Sequence, residues 1–229
     1  PSVTHAKTHG LIVLGGCSYE YINSCEILRY QENNENNIKY CNKWDKLPDL
    51  SHKKAGLGCC SFERNGKEYI FECCGFGGKT YYNHGNIYDF DSNKWNKLPD
   101  ICGPGRSVNG CGYDNKNSQI VIAGGYPTKK RVDIYRFDKN IWYNINDTQY
   151  NHLFKPLVYI DDNGLIYICG NKRGNTNRNL KEIFGYIEMY DQRDNSKKWI
   201  NVGDILQLMD VGDTVGNRKY TIKTFFKKI

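Results

Sequence analysis

Short apolar runs that end in small residues recur along this chain. The clearest run, at residues 120–123, is followed by Gly124-Gly125, a polar loop, an alternating run at residues 132–137, and Trp142. Continuous short apolar runs are typical of strands buried on both faces, and alternation is typical of half-buried strands. A similar order recurs within residues 11–44, 69–95 and 165–199. The pattern predicts four units of β-strands, and no stretch has a helical period.

The tryptophans mark the period of these units. They recur about every 50 residues, a repeat length found in arrays of small β-sheets, at Trp44, Trp95, Trp142 and Trp199. Tyr88 precedes Trp95 by the same spacing as Tyr135 precedes Trp142. We therefore expect the four tryptophans at equivalent positions on the outer strand of each unit.

A unit of four apolar residues, a double glycine, a tyrosine-bearing strand and a tryptophan resembles the kelch motif. Two units end their second strand in Cys74-Gly75 and Cys169-Gly170, which we interpret as variants that replace only the first glycine. The resemblance implies an all-β fold, a kelch-type β-propeller in a single domain 1–229. Its four-stranded blades are expected at residues 1–50, 51–101, 102–147 and 148–204.

Two segments do not fit the repeat. Residues 31–43 are an Asn/Glu-rich insertion before Trp44, which we interpret as a solvated loop. Residues 205–229 contain neither a double glycine nor a tryptophan. They are expected to form a degenerate blade, a strand that closes the ring, or a truncated repeat.

Length and cysteine usage indicate the class of protein. A chain of 229 residues can bury one substantial core without disulfides, so we expect its ten cysteines to be free thiols, mostly buried. If Asn65-Gly66 forms a two-residue turn, Cys60 opposes Phe71 and Cys59 opposes Glu72, which leaves no directly opposed cysteines. This favours an intracellular, cytoplasmic protein over a secreted one.

The ends and apolar runs of the chain predict no membrane span. No run approaches the roughly 18 residues needed to cross a bilayer. The chain begins PSVTHAKTHG, without an initiating methionine or a secretory signal pattern. We therefore expect a segment of a longer protein, in which BTB, F-box or zinc-binding domains could flank the propeller.

No catalytic motif is recognisable in the sequence. The histidines lie in no ligand pattern, at His5, His9, His52, His84 and His152. GxSxG, P-loop and HExxH patterns are absent. We predict no enzymatic activity and no cofactor, with a kelch-fold enzyme of unrecognised site as an alternative.

The kelch resemblance implies a partner-binding face, where the loops between second and third strands meet the connections between blades. On that template the face is basic, with Lys53, Lys54, Lys79, Arg106, Lys129, Lys130, Arg131, Lys172, Arg173, Arg178 and Lys181. Its aromatic residues are Tyr19, Tyr21, Tyr81, Tyr82, Tyr126 and Phe184. The net charge of +7 and the pI near 8.8 agree with a basic surface.

Three basic residues fall at a position of special interest. In kelch adaptors of cullin-RING ubiquitin ligases, an arginine just before the innermost strand binds carboxylates. Lys54 and Arg106 match that position, and so does His152 by its distance to Cys169-Gly170. Lysine and histidine lack the bidentate fork of arginine, so we expect weaker carboxylate binding at two of the three positions.

The predicted function is a protein interaction module, an adaptor or scaffold, with a ubiquitin-ligase substrate receptor as one such role. It would bind an acidic segment of a partner through Lys54, Arg106, His152, Lys129, Lys130, Arg131, Tyr81 and Tyr82. Binding to nucleic acid or anionic lipid is a further alternative that the basic charge permits, although no nucleic-acid-binding motif occurs. A charged rim that serves only solubility is equally compatible with the sequence.

Overall fold

The computed structural model describes residues 1–32, 38–170 and 186–204, which form sixteen strands and contain no helix. Sheet 1 contains β1 to β4, at Ser2–Ala6, Gly10–Cys17, Tyr21–Glu32 and Ile38–Leu47. Sheet 2 contains β5 to β8, at Gly58–Arg64, Lys67–Cys73, Gly85–Asp89 and Lys94–Lys97. Sheet 3 contains β9 to β12, at Gly110–Asp114, Gln119–Ala123, Val132–Arg136 and Ile141–Ile145. Sheet 4 contains β13 to β16, at Leu157–Ile160, Ile166–Cys169, Tyr186–Tyr190 and Trp199–Asp204.

All four sheets are antiparallel meanders whose strands lie in chain order. The predicted all-β fold of four-stranded units is therefore confirmed.

The turn between β5 and β6 shows why the local sequence forms these strands. Asn65 and Gly66 both have positive φ angles, 54° and 72°, as a tight two-residue hairpin turn requires. The turn sets Cys60 opposite Phe71 and Cys59 opposite Glu72, as predicted.

Consecutive sheets pack face to face through their apolar side chains. Ile70 of β6 packs in the core shared with sheet 1, whereas the next residue, Phe71, packs in the core shared with sheet 3. Because successive side chains of a strand point to opposite faces, a strand between two sheets is apolar throughout. This explains β10, in which all five residues from Gln119 to Ala123 are buried.

The tryptophans occupy equivalent places on the fourth strands, as predicted. They lie opposite Leu28, Tyr88, Tyr135 and Tyr190 of the third strands, in chain order. Three indole N–H groups donate to main-chain carbonyls of the preceding sheet's exit: Trp95 to Pro48, Trp142 to Pro99 and Trp199 to Asn146, at 2.8, 2.9 and 2.7 Å. Each of these hydrogen bonds ties a sheet to the one before it.

The alignment of Cys169-Gly170 with the double glycine is wrong. Ile120 lies opposite Tyr135 and Ile166 opposite Tyr190, so the register places Gly170, not Cys169, at the position of Gly124. Cys169 is the last residue of β14 and is buried. The two dipeptides Cys74-Gly75 and Cys169-Gly170 look alike in the sequence, but the second lies one position earlier in the register.

The insertion at residues 31–43 is not simply a solvated loop. β3 continues to Glu32 and β4 begins at Ile38, with Tyr30 opposite Tyr40 and Glu32 opposite Ile38. Residues 33–37 lie outside the described part of the chain. Once two antiparallel strands are in register, their hydrogen-bond ladder can continue into a polar sequence, and this hairpin shows that extension. The predicted tail at residues 205–229 also lies outside the described residues.

The nine cysteines whose side chains are described are free thiols, as expected. Cys17 and Cys102 are exposed, and the other seven are buried or half-buried. The sulfur atoms of Cys73 and Cys111 lie 3.6 Å apart between sheets 2 and 3. Burial raises the pKa of Cys111 to about 12, which keeps it a thiol at neutral pH.

In the described residues no helix could cross a bilayer.

Candidate functional site

One end of the sheets gathers the loops between second and third strands and the connections between sheets. We call this end the loop face; it includes residues 18–21, 51–56, 74–84, 101–108, 124–131 and 148–155. Three basic residues of the loop face, Lys54, Arg106 and His152, occupy equivalent positions in the structure. The backbone N–H groups of Gly16, Gly75 and Gly125 donate to the carbonyls of Lys54, Arg106 and His152, at 2.9, 2.8 and 2.7 Å. Lys54, Arg106 and His152 are therefore equivalent in position, as their spacing in the sequence predicted.

The backbone passes very close at these contacts. Gly124 has a φ of +62°, and a Cβ there would collide with the carbonyl oxygen of His152. A left-handed glycine is therefore required where sheet 3 meets the connection to sheet 4. In sheet 2 the corresponding residue is Cys74, which adopts the same conformation with a φ of 63°.

Each of the three equivalent basic side chains is buried and paired with an acid of its own sheet. Lys54 Nζ lies 2.7 Å from Glu72 Oε2, and His152 Nε2 lies 2.8 Å from Glu188 Oε2. Arg106 donates from Nη2 to Asp133, and this guanidinium and carboxylate are 0% exposed. A charge removed from water is tolerated only with such a partner. We call these three pairs the ionic centres, of which the structure shows the one between His152 and Glu188 as a hydrogen bond.

The ionic centre of sheet 2 includes two further side chains. Asn86 donates its Nδ2 to Glu72 Oε1 at 2.6 Å, and Lys54 Nζ lies 3.3 Å from His84 Nε2. Burial, followed by the nearby charge of Lys54, lowers the pKa of His84 to about 4. His84 is therefore neutral near pH 7 and can accept a hydrogen bond from the ammonium group. Tyr82 closes this cluster, with its ring centroid 5.9 Å from Lys54 Nζ.

Arg131 belongs to the ionic centre of sheet 3. Its Nη2 lies 2.8 Å from Asp133 Oδ1, and it also donates to the carbonyl of Cys102 at 2.5 Å. Its side chain is 23% exposed. Two arginines thus share one carboxylate, and Asp133 is the residue that makes their proximity possible.

Sequence reasoning missed the acidic partners, although a signal was present. Glu72, Asp133 and Glu188 each stand alone within an apolar strand segment, in YIFECC, VDIY and YIEMY. An acidic residue inside a strand buried on both faces needs a positive partner from elsewhere. These three lone acids therefore predict that each has a buried positive partner, but the sequence does not show which basic residue that partner is.

The exposed part of the loop face is built around an aromatic ladder of Tyr21, Phe76, Tyr81 and Tyr126. Consecutive ring centroids lie 5.9, 4.6 and 5.8 Å apart, and the ladder connects the loops of sheets 1, 2 and 3. Tyr126 is 46% exposed, and the other three rings are half-buried. The predicted Tyr81 is part of this ladder. Tyr82 is not, because its ring packs against His52 and His84.

The remaining basic residues of the loop face differ in exposure. Lys79 and Lys129 are exposed and Lys130 is half-buried, whereas exposed Lys53 lies 3.4 Å from Glu20. Backbone hydrogen bonds hold the loop that carries Lys129 and Lys130, since their carbonyls accept from His152 and Thr148. Four predicted cations and one aromatic residue lie outside the described residues: Lys172, Arg173, Arg178, Lys181 and Phe184.

The described histidines already have neighbours that explain their positions. His9 lies 3.0 Å from Glu68, and the ring of His5 contacts Tyr30 edge-on. Within residues 1–32, 38–170 and 186–204, no group of three or more His, Cys, Asp or Glu side chains is arranged to hold a metal ion.

No family model matches the chain. No curated protein matches it either.

Proposed function

We propose that this chain is a kelch-type β-propeller that serves as a protein interaction module and binds an acidic segment of a partner on its loop face. Four stacked four-stranded sheets with equivalent tryptophans support the propeller. The observation that carries the binding proposal is the aromatic ladder, which crosses three sheets beside the exposed Lys79 and Lys129. An adaptor, such as the substrate receptor of a ubiquitin ligase, is a role that this surface would serve.

The ladder and the lysines have different roles in this proposal. Aromatic side chains held by their neighbours offer large apolar contacts at low entropic cost, which is typical of interface hot spots. Exposed lysines contribute little affinity but attract an acidic segment and speed its association. The affinity should therefore depend mainly on rings such as Tyr126, and the salt dependence mainly on Lys129.

The burial of the ionic centres changes which residues are expected to touch the partner. Lys54, Arg106 and His152 already bind carboxylates of their own sheets, at less than 2% side-chain exposure. A partner's carboxylate would have to displace a buried one to reach them. We therefore assign these three residues, with Arg131, to the support of the loop face rather than to contact with the partner.

A peptide fits the ladder better than a nucleic acid does. Consecutive rings are inclined to one another by 84°, 34° and 54°. Stacking of successive bases needs ring faces that are accessible one after another along a groove. Inclined rings can instead contact the side chains of a peptide, which need no regular stacking.

The proposal is tested with a library of fluorescent acidic peptides that contain interspersed aliphatic residues. Tyr126→Ala should weaken the best peptide about tenfold, and Lys129→Glu should weaken it about fivefold, mainly through slower association. Lys139→Glu is the matched control. It is also exposed and lies on sheet 3, in the β11–β12 turn at the opposite end of β11.

Two results would contradict the proposal. If Tyr126→Ala and Lys129→Glu both bind the peptide as tightly as Lys139→Glu does, the loop face is excluded as the binding site. Tighter binding of a random single-stranded oligonucleotide, lost in Lys129→Glu, would favour the nucleic-acid alternative instead.

A further inference from the structure

Trp44 differs from the other three tryptophans in its surroundings. Trp142 and Trp199 are 5% and 3% exposed, Trp95 is half-buried, and each indole N–H donates to the preceding sheet. Trp44 is 41% exposed, and its indole donates to no residue in the described parts of the chain. Sheet 1 therefore has a face that is built like an inter-sheet interface but is left open.

Alternation along the strands identifies the other residues of this face. Ile12 and Leu14 of β2 point into the core shared with sheet 2, so Leu11 and Val13 lie on the opposite side. The register adds Val3 and His5 of β1, Leu28 of β3 and Trp44 of β4. We call these six residues, with Glu26 and Lys46, the open face of sheet 1.

The other sheets show how such a face is normally packed. The residues that correspond to Leu11 by register are Ile70, Ile120 and Ile166, all 0% exposed. Leu11, Val13 and Leu28 are only half-buried, and Val3 is 52% exposed. The face that three other sheets cover with a neighbouring sheet is thus partly in water here, and it is mainly apolar. Burial of this surface against another sheet is favourable.

The open face carries one negative and one positive side chain, Glu26 and Lys46, which are complementary in charge. Glu26 and Lys46 are direct neighbours across β3 and β4, both are exposed, and the structure shows no ion pair between them. A two-fold axis through the face would bring Glu26 of one copy near Lys46 of the other. At the loop end of the face, a pocket of about 270 Å³ is lined by residues that include Pro1, Val13 and Ile22. It offers space for a side chain from the opposite copy.

We propose that the chain forms a symmetric dimer through the open face of sheet 1. The continuity with the three internal interfaces indicates that the occupant is a sheet, and the paired charges indicate a second copy of the same face. The outer side of sheet 4 is only partly covered, because Cys169 is 2% exposed there while Leu157 and Ile200 are 40% and 48% exposed. The neighbouring Glu26 and Lys46 therefore distinguish the two-fold arrangement from a head-to-tail one, in which they would not face each other.

The experiment is analytical ultracentrifugation of the 229-residue chain over a concentration series. Val3→Lys places a charge at an exposed position of the open face, so it should fold normally and weaken the dimer about 100-fold. Ile141→Lys is the matched control, because Ile141 is 47% exposed on β12, away from this face, and should leave the dimer intact. Near-UV circular dichroism of both variants verifies the fold.

A charge reversal tests the symmetry. Glu26→Lys should weaken the dimer about tenfold, and addition of Lys46→Glu should restore it, because the reversed pair is complementary again. If the double variant does not dimerise more tightly than Glu26→Lys alone, the two-fold arrangement is excluded.

The fluorescence of Trp44, measured as the difference between wild type and Trp44→Phe, gives an independent readout. A blue shift and protection from acrylamide that increase with dimerisation are expected. A monomer at all concentrations would overturn the proposal, whether Trp44 is accessible or is covered within one chain. A dimer that Val3→Lys does not weaken would place the contact elsewhere and overturn it as well.

Discussion

The ionic centres and the rim of the loop face use the same kinds of residue at the same end of the molecule, yet for opposite purposes. Lys54 and Arg106 are fully buried and bound to acids of their own sheets, whereas Lys79 and Lys129 are exposed. In the centres the charges fix the connections between sheets. On the rim they remain available to a partner. Burial therefore decides the role of a basic residue more than its type does.

The three centres also differ from one another. Glu72 lies on the second strand of sheet 2, whereas Asp133 and Glu188 lie on the third strands of sheets 3 and 4. The register nevertheless pairs these positions, since Glu72 is directly opposite Asn86, the residue that corresponds to Asp133. The carboxylate has a similar place in space but a different place in the sequence.

The largest effect is expected from Asp133→Asn. The substitution removes the negative charge that Arg106 and Arg131 share and leaves two buried or half-buried arginines together. The free energy of unfolding should fall by about 3–5 kcal/mol, measured by urea denaturation. Asp138→Asn is the control, because its pair with Arg136 is exposed and should leave the midpoint unchanged. Equal effects of the two substitutions would show that burial does not determine the role of these pairs.

A smaller loss is expected from Lys54→Met. The charge of Glu72 would then be buried without its cation, which should cost about 3 kcal/mol of unfolding free energy. The double variant Lys54→Met with Glu72→Gln should recover part of that loss in the same urea experiment, because no unpaired charge remains while Asn86 keeps an acceptor. If the double variant is less stable than the single one, the pair is not the source of the effect.

A pH-dependent effect follows from His84. Because its pKa falls from 6.5 to about 4 on folding, the unfolded chain binds the proton first as the solution is acidified. Its contribution is complete above pH 6.5 and is lost as the pH falls toward 4. The wild type should lose roughly 1–2 kcal/mol more than His84→Gln across this window, after allowance for solvent screening. Parallel stability curves for the two proteins would contradict this assignment.

The smallest effect on folding is expected from Lys129→Glu. Lys129 is exposed, so its reversal should leave the urea midpoint unchanged while peptide binding weakens. Thermal and urea unfolding of this variant beside wild type test the first part. A clear loss of stability would mean that Lys129 supports the loop and does not report on binding alone.

The fold could be predicted further than the candidate site. Short apolar runs, the Asn65-Gly66 turn and the recurring tryptophans predicted strand pairing and even the partners of Cys59 and Cys60. These features are local, because a turn and an alternating pattern determine register by themselves. The misplacement of Cys169 arose because Cys169-Gly170 repeats the dipeptide Cys74-Gly75 one position out of register. The contact roles expected for Lys54 and Arg106 were based on position alone, which does not reveal burial.

The sequence by itself determined the four-sheet repeat, the equivalence of Lys54, Arg106 and His152, and the free state expected of the cysteines. Only the tertiary structure decided which charges are paired, because Lys54 meets Glu72, and Arg106 meets Asp133, across distances in the chain that no local pattern encodes. It also decided that Trp44 is exposed while its three counterparts are covered. Identical local patterns receive different surroundings when sheets stack, and burial depends on the neighbouring sheet that each face finds.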